Sequence, residues 1–293
     1  RETTAPNGYL VAEDVKFTVT ETEEIQTVEM RDAHNEIFIS KTAISGSEEI
    51  AGATLQVISV DTNGVETIYK EWTTDGTGVT VIAAIPAGEY ILRELTAPNG
   101  YIVAEEIAFT VNVDGTLTST ASADGKTVVM KDDVTKLTIS KKDITDSEEL
   151  EGAVLTIRDE KGETVATWTS TKTPKYIEKI PVGKYTLTEE TAPEGYVKAE
   201  TISFEIKATG EMQTVSMVDD VTKVRISKTD ITGTKELAGA RLQVIIPGTQ
   251  ETIYEEWTST NTPHMIEKLP VGEYILRETT APNGYLVAED VKF

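Results

Sequence analysis

The sequence predicts an all-β protein made of tandem immunoglobulin-like β-sandwich domains with Greek-key topology, arranged as a rod. The motif Glu-x-Thr-Ala-Pro-x-Gly-Tyr begins at residues 2, 94, 189 and 278, a spacing of about 90 residues that suits one compact domain. Between the copies lie short runs rich in Val, Ile, Thr and Tyr, separated by turn signals such as Asn63-Gly64 and Asp114-Gly115. Helical periodicity is absent over any useful length. About seven short strands per repeat are typical of a β-sandwich.

The repeats divide the chain into four segments. Residues 1–33 are predicted to be the C-terminal part of a repeat, with strands at 15–20 and 27–32. Complete domains are predicted at 34–133 and 134–220, and residues 221–293 are expected to form a domain without its last strands. Residues 1–17 and 277–293 are identical. We therefore expect an excerpt of a longer protein in which a unit of three domains recurs, joined by short links that limit bending.

Composition excludes several classes of partner. The formal net charge is −23, which argues against nucleic acid and against contact with an anionic membrane. The sequence has no Cys, so disulfides cannot stabilise the domains. No apolar run approaches membrane-spanning length.

The tryptophans recur at matching places in the repeats, which indicates core packing. They are Trp72, Trp168 and Trp257.

Charged side chains share the apolar faces of three strands in each repeat. Alternation with period two places Glu94 on the same face as Tyr90 and Leu92. The strand that opens a repeat ends in Ile-Ser-Lys, and the strand that closes it reads Val-x-Met-x-Asp. The inward charged residues are therefore Glu2, Glu94, Glu189 and Glu278, then Lys41, Lys141 and Lys228, and finally Asp32, Asp132 and Asp219.

Two interpretations of these charges remain open from the residues alone. The charges form a buried ionic cluster, or lie on edge strands where they reach water. Alternatively, they react. Burial lowers the pKa of an amine and raises that of a carboxyl group, so a neutral amine can attack a protonated acid. A glutamate between them would transfer the proton, and one water would be lost as an amide forms.

The order of three separated motifs resembles a known family. Ile-Ser-Lys-x-Asp with Glu-Leu-x-Gly-Ala, then Glu-x-Thr-Ala-Pro-x-Gly-Tyr, then Val-x-Met-x-Asp, is similar to the CnaB-type (SpaA-type, prealbumin-like) domains of Gram-positive surface adhesins and pilins. The resemblance covers essentially the whole chain. It implies intramolecular isopeptide bonds promoted by Glu in structural repeats of an extracellular, cell-wall-attached stalk, with neighbouring repeats of the same or identical chains as partners.

Carried over by position, the resemblance implies specific pairs. Lys41 would join Asp132 with help from Glu94, and the second repeat would use the set Lys141, Asp219 and Glu189. In the last segment Lys228 and Glu278 await an acid beyond residue 293. Asp32 and Glu2 likewise have no lysine within their own repeat. Ala43 departs from the pattern, because the other repeats carry an acid there, at Asp143 and Asp230.

Other function classes have weaker support in the sequence. The two histidines, His34 and His264, fit no catalytic or metal-ligand pattern, and no phosphate-binding loop or calcium-loop motif occurs. We predict no enzyme beyond single-turnover self-crosslinking, and no cofactor or metal. The alternative is an adhesin module that recognises a host matrix protein or glycan through loops such as 75–80 and 170–175.

Overall fold

A computed structural model describes residues 1–144 and 148–293. The described residues form strands and connecting loops without a helix, so the all-β prediction is confirmed. None of them forms a helix long and apolar enough to cross a membrane. The chain divides into two compact units. One comprises Arg1–Leu137, Ile177–Gly183 and Ile206–Gln213, and the other comprises Thr138–Tyr176, Lys184–Glu205 and Thr214–Phe293.

The first segment holds only two short strands, β1 (Tyr9–Leu10) and β2 (Ala33–His34), which pair antiparallel. The prediction of strands at 15–20 and 27–32 is wrong, since the structure has none between β1 and β2. Apolar side chains of this stretch are exposed, with Ile25 at 95%. A strand is stable when a neighbouring strand pairs with it and a core covers its apolar face. Residues 15–20 and 27–32 have neither.

The first complete repeat is a two-layer sandwich. Its eight strands are β3 (Glu36–Ala43), β4 (Ala51–Val60), β5 (Glu66–Asp75), β6 (Thr80–Ala83), β7 (Gly88–Thr96), β8 (Ile107–Val111), β9 (Leu117–Thr118) and β10 (Thr127–Asp132). One sheet has the order β10-β3-β6 and the other β5-β4-β7-β8-β9. Strands β3 and β10 are parallel neighbours. Both sheets contribute side chains to one core, which includes Ile39 from β3 and Leu92 from β7. Trp72 packs against this core.

The later repeats have the same plan. The strands of the second are β11 (Lys136–Asp143), β12 (Val154–Asp159), β13 (Thr164–Thr169), β14 (Lys175–Glu178), β15 (Gly183–Thr191), β16 (Tyr196–Val197), β17 (Ile202–Ile206) and β18 (Met212–Val221). They form the sheets β14-β11-β18-β16 and β13-β12-β15-β17. The last segment contributes β19 (Lys223–Ile226), β20 (Arg241–Ile246), β21 (Thr252–Thr258), β22 (His264–Glu267), β23 (Ile275–Thr280) and β24 (Val291–Lys292), in the sheets β19-β22 and β21-β20-β23-β24.

Candidate functional site

Strand β3 carries a lysine into the core of the first complete repeat. Ile37, Ile39 and Lys41 alternate toward the interior, and Lys41 is 1% exposed. Its neighbours in the sheet are β10 on one side and β6 on the other, so the lysine lies on a central strand. In the register with β10, Lys41 lies opposite Met130. A buried ammonium is costly unless acids compensate it, which points to the groups around its Nζ.

The first of these acids is Glu94, on β7 of the opposite sheet. Its Oε1 lies 3.0 Å from Lys41 Nζ. Its Oε2 accepts a hydrogen bond of 2.6 Å from the backbone amide of Ala104. One oxygen is therefore anchored to the backbone while the other faces the amine, which fixes the carboxylate in the orientation that proton transfer needs.

The second acid, Asp132, ends strand β10. Its Oδ1 is in direct contact with Lys41 Nζ. Burial raises the pKa of Asp132 to about 7, Lys41 opposes this rise, and the neighbouring Glu94 adds to it. Within the described chain, Asp132 Oδ2 is buried and has no hydrogen-bond partner. A protonated carboxyl group is the form that an amine can attack, so the environment favours the reactive state of this acid.

The second repeat reproduces the arrangement. Lys141 is 2% exposed and lies 3.0 Å from Glu189 Oε1, while Asp219 Oδ1 contacts its Nζ. Glu189 Oε2 accepts a hydrogen bond of 2.6 Å from the Ala199 amide. Burial raises the pKa of Asp219 to about 6, with Lys141 opposing and Glu189 adding to the rise. The same geometry occurs with Ala43 in the first repeat and Asp143 in the second, so it does not depend on the acid at that position.

The acids that follow these two aspartates differ from them. Asp133 Oδ1 accepts a hydrogen bond of 2.9 Å from Lys136, and this contact lowers the pKa of Asp133. In the same way, Lys223 Nζ donates a hydrogen bond of 2.8 Å to Asp220 Oδ1 and lowers the pKa of Asp220. Both acids are thus held ionised by a neighbouring lysine, which is half-buried in the Asp133 pair and exposed in the Asp220 pair. The alternation of the strand, which turns the first acid of each pair inward, decides which acid meets the buried lysine.

Two further sets of predicted residues are only partly assembled. Lys228 Nζ lies 3.1 Å from Glu278 Oε1, and the lysine side chain is 16% exposed. Asp32 lies beside Glu2, and the pKa of Asp32 is raised by desolvation and then by the charge of Glu2. The structure therefore brings lysine, glutamate and aspartate together in the two complete repeats, and brings pairs of them together in the first and last segments.

A family model, the SpaA prealbumin-like fold domain, matches residues 35–126, 135–221 and 222–293. The chain belongs to this SpaA domain family. The resemblance seen in the motifs is thereby confirmed at the level of the family, and the tandem arrangement with it. A search of curated proteins gave no match.

Several solved structures are similar to these SpaA repeats. The Bacillus anthracis TIE protein is 26% identical, with 90% of this chain and 49% of that chain covered and a TM-score of 0.46. A streptococcal ancillary pilin is 16% identical over 88% of this chain and 94% of its own, with a TM-score of 0.38. The shaft pilin SpaA from Lactobacillus rhamnosus GG is 16% identical over 64% and 98%, with a TM-score of 0.31. The chain spans about half the length of the TIE protein.

Sequence reasoning missed two residues that position the buried lysine and glutamate of the SpaA repeats. Glu49 Oε2 accepts a hydrogen bond of 2.8 Å from the Lys41 amide, and its Oε1 accepts one of 2.6 Å from Ser40. The equivalents are Glu149 and Glu236. The other is the alanine whose backbone amide donates a hydrogen bond to the buried glutamate. Both had a signal in the sequence, because the repeated spacing holds in every copy, at Ala12, Ala104, Ala199 and Ala288.

A small cavity of about 210 Å³ adjoins Lys141 in the second SpaA repeat. Its inner wall includes Ile139, Leu155 and Trp168, and the loop at 169–175 forms its rim. This loop is one of those to which the sequence assigns ligand recognition in the adhesin alternative. Because the cavity ends on the buried lysine, it is part of the lysine site.

Proposed function

We propose that the complete repeats are structural units of a bacterial surface stalk or pilus-like fibre, each locked by an isopeptide bond between Lys41 and Asp132 or between Lys141 and Asp219. The observation that carries the proposal is the contact of a buried lysine with a buried aspartate beside a backbone-anchored glutamate, found twice in one chain. On this proposal the segment works outside the cell and its partners are neighbouring repeats.

The reaction balances without another reactant. Lys41 Nζ attacks Cγ of Asp132, the new C–N bond forms, and a carboxyl oxygen leaves as one water molecule. Glu94 accepts a proton from the nitrogen through Oε1 and returns it to the departing oxygen. The fold supplies the proximity that replaces an activated acyl group, since Lys41 and Asp132 are held on adjacent strands. The water is the only product released.

The bond would give the repeat a covalent path that needs no cysteine. Lys41 and Asp132 are 91 residues apart in sequence, and they lie on the first and last strands of the sandwich. Joining them closes nearly the whole domain into a loop. In the chain-entropy model a loop of this size contributes about 4 to 5 kcal/mol to stability.

Intact mass under denaturing conditions tests the proposal directly. We expect the chain to weigh less than its sequence by two water molecules, because each complete repeat condenses once. Peptide mapping should recover cross-linked peptides that contain Lys41 with Asp132, and Lys141 with Asp219. Glu94→Gln should restore one of the two waters, because it removes the proton acceptor and preserves shape and the contact with Ala104. A full-mass native chain would contradict the proposal and favour an ordinary buried ion cluster.

The choice between neighbouring acids gives a second prediction. Asp132→Ala should abolish the cross-link to Lys41, because it removes the carboxyl group whose pKa burial raises to about 7. Asp133→Ala is the matched control and should leave the cross-link intact, since that acid pairs with the half-buried Lys136 and not with Lys41. Tandem mass spectrometry of the linked peptide distinguishes the two. A link to Asp133 in the Asp132→Ala chain would show that the register argument is incorrect.

A further inference from the structure

The Pro-x-Gly-Tyr turn that follows the catalytic glutamate also contacts the beginning of the next repeat. The carbonyl oxygen of Gly100 accepts a hydrogen bond of 3.0 Å from the Thr135 amide. Tyr101 forms an antiparallel bridge with Val134. The Thr135 hydroxyl donates to the Ile180 carbonyl at 2.6 Å, which ties the link to a turn of the second repeat. The turn therefore meets the link and the repeat beyond it.

The close approach at this contact requires glycine. Gly100 has a φ of +82°, and a Cβ added there would lie 2.3 Å from the backbone oxygen of Lys179. Real Cβ atoms do not approach backbone atoms so closely, and a positive φ disfavours any side chain. The backbones of consecutive repeats are thus in direct van der Waals contact at this point.

The partner residue on the second repeat is itself in an unfavourable conformation. Lys179 has a φ of +61°, although it is not glycine. Its amide donates to the Thr135 carbonyl at 3.0 Å, and its Nζ lies 4.9 Å from the centroid of the Tyr101 ring. A left-handed conformation at such a residue costs free energy and persists where surrounding contacts enforce it. The contacts of the joint are those that enforce it here.

Among residues 1–144 and 148–293 the same joint occurs three times, and we define each by its glycine, its link residue and its left-handed partner. At the third joint the carbonyl oxygen of Gly195 accepts a hydrogen bond of 3.0 Å from the Thr222 amide. A Cβ added to Gly195 would lie 2.4 Å from the backbone oxygen of Lys268. Thr222 donates to the Leu269 carbonyl at 2.6 Å. The joints are Gly8 with Asn35 and Ala84, Gly100 with Thr135 and Lys179, and Gly195 with Thr222 and Lys268.

Two observations set these joints apart from ordinary turn contacts. Three non-glycine residues of the described chain have a positive φ, and each of them belongs to a different joint. They are Ala84, Lys179 and Lys268. In addition, the segment Ile177–Gly183, which carries Lys179, belongs to the same compact unit as Gly100. The contacts of each joint thus lie within one compact unit.

We propose that the Pro-x-Gly-Tyr turn is an interaction surface whose partner is the left-handed turn of the following repeat, and that this joint restricts bending between consecutive repeats. The proposal goes beyond the isopeptide bond, because the joint is made of hydrogen bonds and close backbone contacts around the link and needs no covalent bond. The repeated motif then has two separate roles, with its glutamate serving the reaction and its glycine serving the joint.

Spin-label distance measurements on the full chain test the joint between the second and third repeats. The sequence has no Cys, so Val165→Cys and Ile253→Cys, exposed by 40% and 53%, introduce one label on each repeat. Gly195→Ala should broaden the distance distribution about twofold, since repeats without a tight interface move independently. Gly162→Ala is the matched control, because Gly162 has a φ of +82° and an added Cβ would meet nothing within 4 Å.

A folding check and a second variant keep the test decisive. Hydrogen-exchange protection of β12 and β20 should persist in Gly195→Ala, and intact mass reports the isopeptide bonds separately. If protection is lost, Thr222→Val replaces the first variant, because it removes the hydroxyl contacts to Gly195 and Leu269 without adding a clash. An unchanged distribution in the folded joint variant would overturn the proposal. Equal broadening by Gly162→Ala, or a native chain that is already broad, would overturn it as well.

Discussion

Stretched from its two ends, the native chain is expected to lengthen far less than a chain that carries both Glu94→Gln and Glu189→Gln. In the native chain, tension would enter the first complete repeat at β3 and pass through the proposed bond from Lys41 to Asp132, so the residues between them would remain folded. Without the bond, 91 residues can extend, which is roughly 300 Å at ~3.3–3.6 Å per residue. The second repeat adds 78 residues, or roughly 260 Å.

Single-molecule force spectroscopy measures this difference as steps in contour length. The variant should show two additional unfolding steps of about these lengths, and the native chain should lack them. Glu278→Gln serves as the control. Glu278 contacts Lys228, but in the described residues no aspartate completes this pair in the way that Asp132 completes Lys41 and Glu94. Its force curves should match those of the native chain in both complete repeats. Unfolding steps of 260 to 300 Å in the native chain would contradict a covalent path.

Loss of the bond in the second repeat should also raise its rate of hydrogen exchange. In the chain-entropy model, closing a loop of about 80 residues contributes about 4 to 5 kcal/mol. Since 1.4 kcal/mol corresponds to a factor of ten, Glu189→Gln should accelerate the slowest amides of β12 and β15 about a thousandfold. Mass spectrometry of deuterated peptides from these strands provides the measurement.

The first repeat supplies the internal reference for this exchange experiment. Amides of β4 and β7 should keep their native exchange rates in Glu189→Gln, because this variant leaves the proposed bond between Lys41 and Asp132 intact. Glu94→Gln should reverse the pattern, with acceleration in the first repeat only. If both variants leave exchange unchanged in their own repeats, the glutamates do not promote a stabilising bond.

Period-two alternation was sufficient to predict the inward positions of the buried charged groups. Lys41, Glu94 and Asp132 are each 4% exposed or less, because a strand with one apolar face leaves few alternatives for its register. The anchoring of Glu94 was harder to foresee, since its partner is the backbone amide of Ala104 rather than a side chain. The recurring alanine was visible in the sequence, but residue type alone gives it no role.

Two other features depend on context that local patterns do not contain. Residues 15–20 and 27–32 have the composition of strands, yet they form none. Strand propensity reflects packing against neighbouring strands, and no strand pairs with this segment. The left-handed conformation of Lys179 has no signature in residue type, because lysine seldom adopts it. It follows from the approach of Gly100, a contact between repeats that the pattern of one repeat does not specify.

The parallel pairing of β3 with β10 has a consequence for how such repeats can diversify. Lys41 and Asp132 both lie near the C-terminal ends of their strands, so the covalent route that the proposed bond creates would use only the stretch of β3 from Glu36 to Lys41. Strands β5, β8 and β9 lie in the other sheet and are outside that route. If the proposed bond carries the load, insertions and new surface chemistry on those strands would leave tensile strength unaffected, so one repeat could acquire new loops and keep the proposed mechanical role.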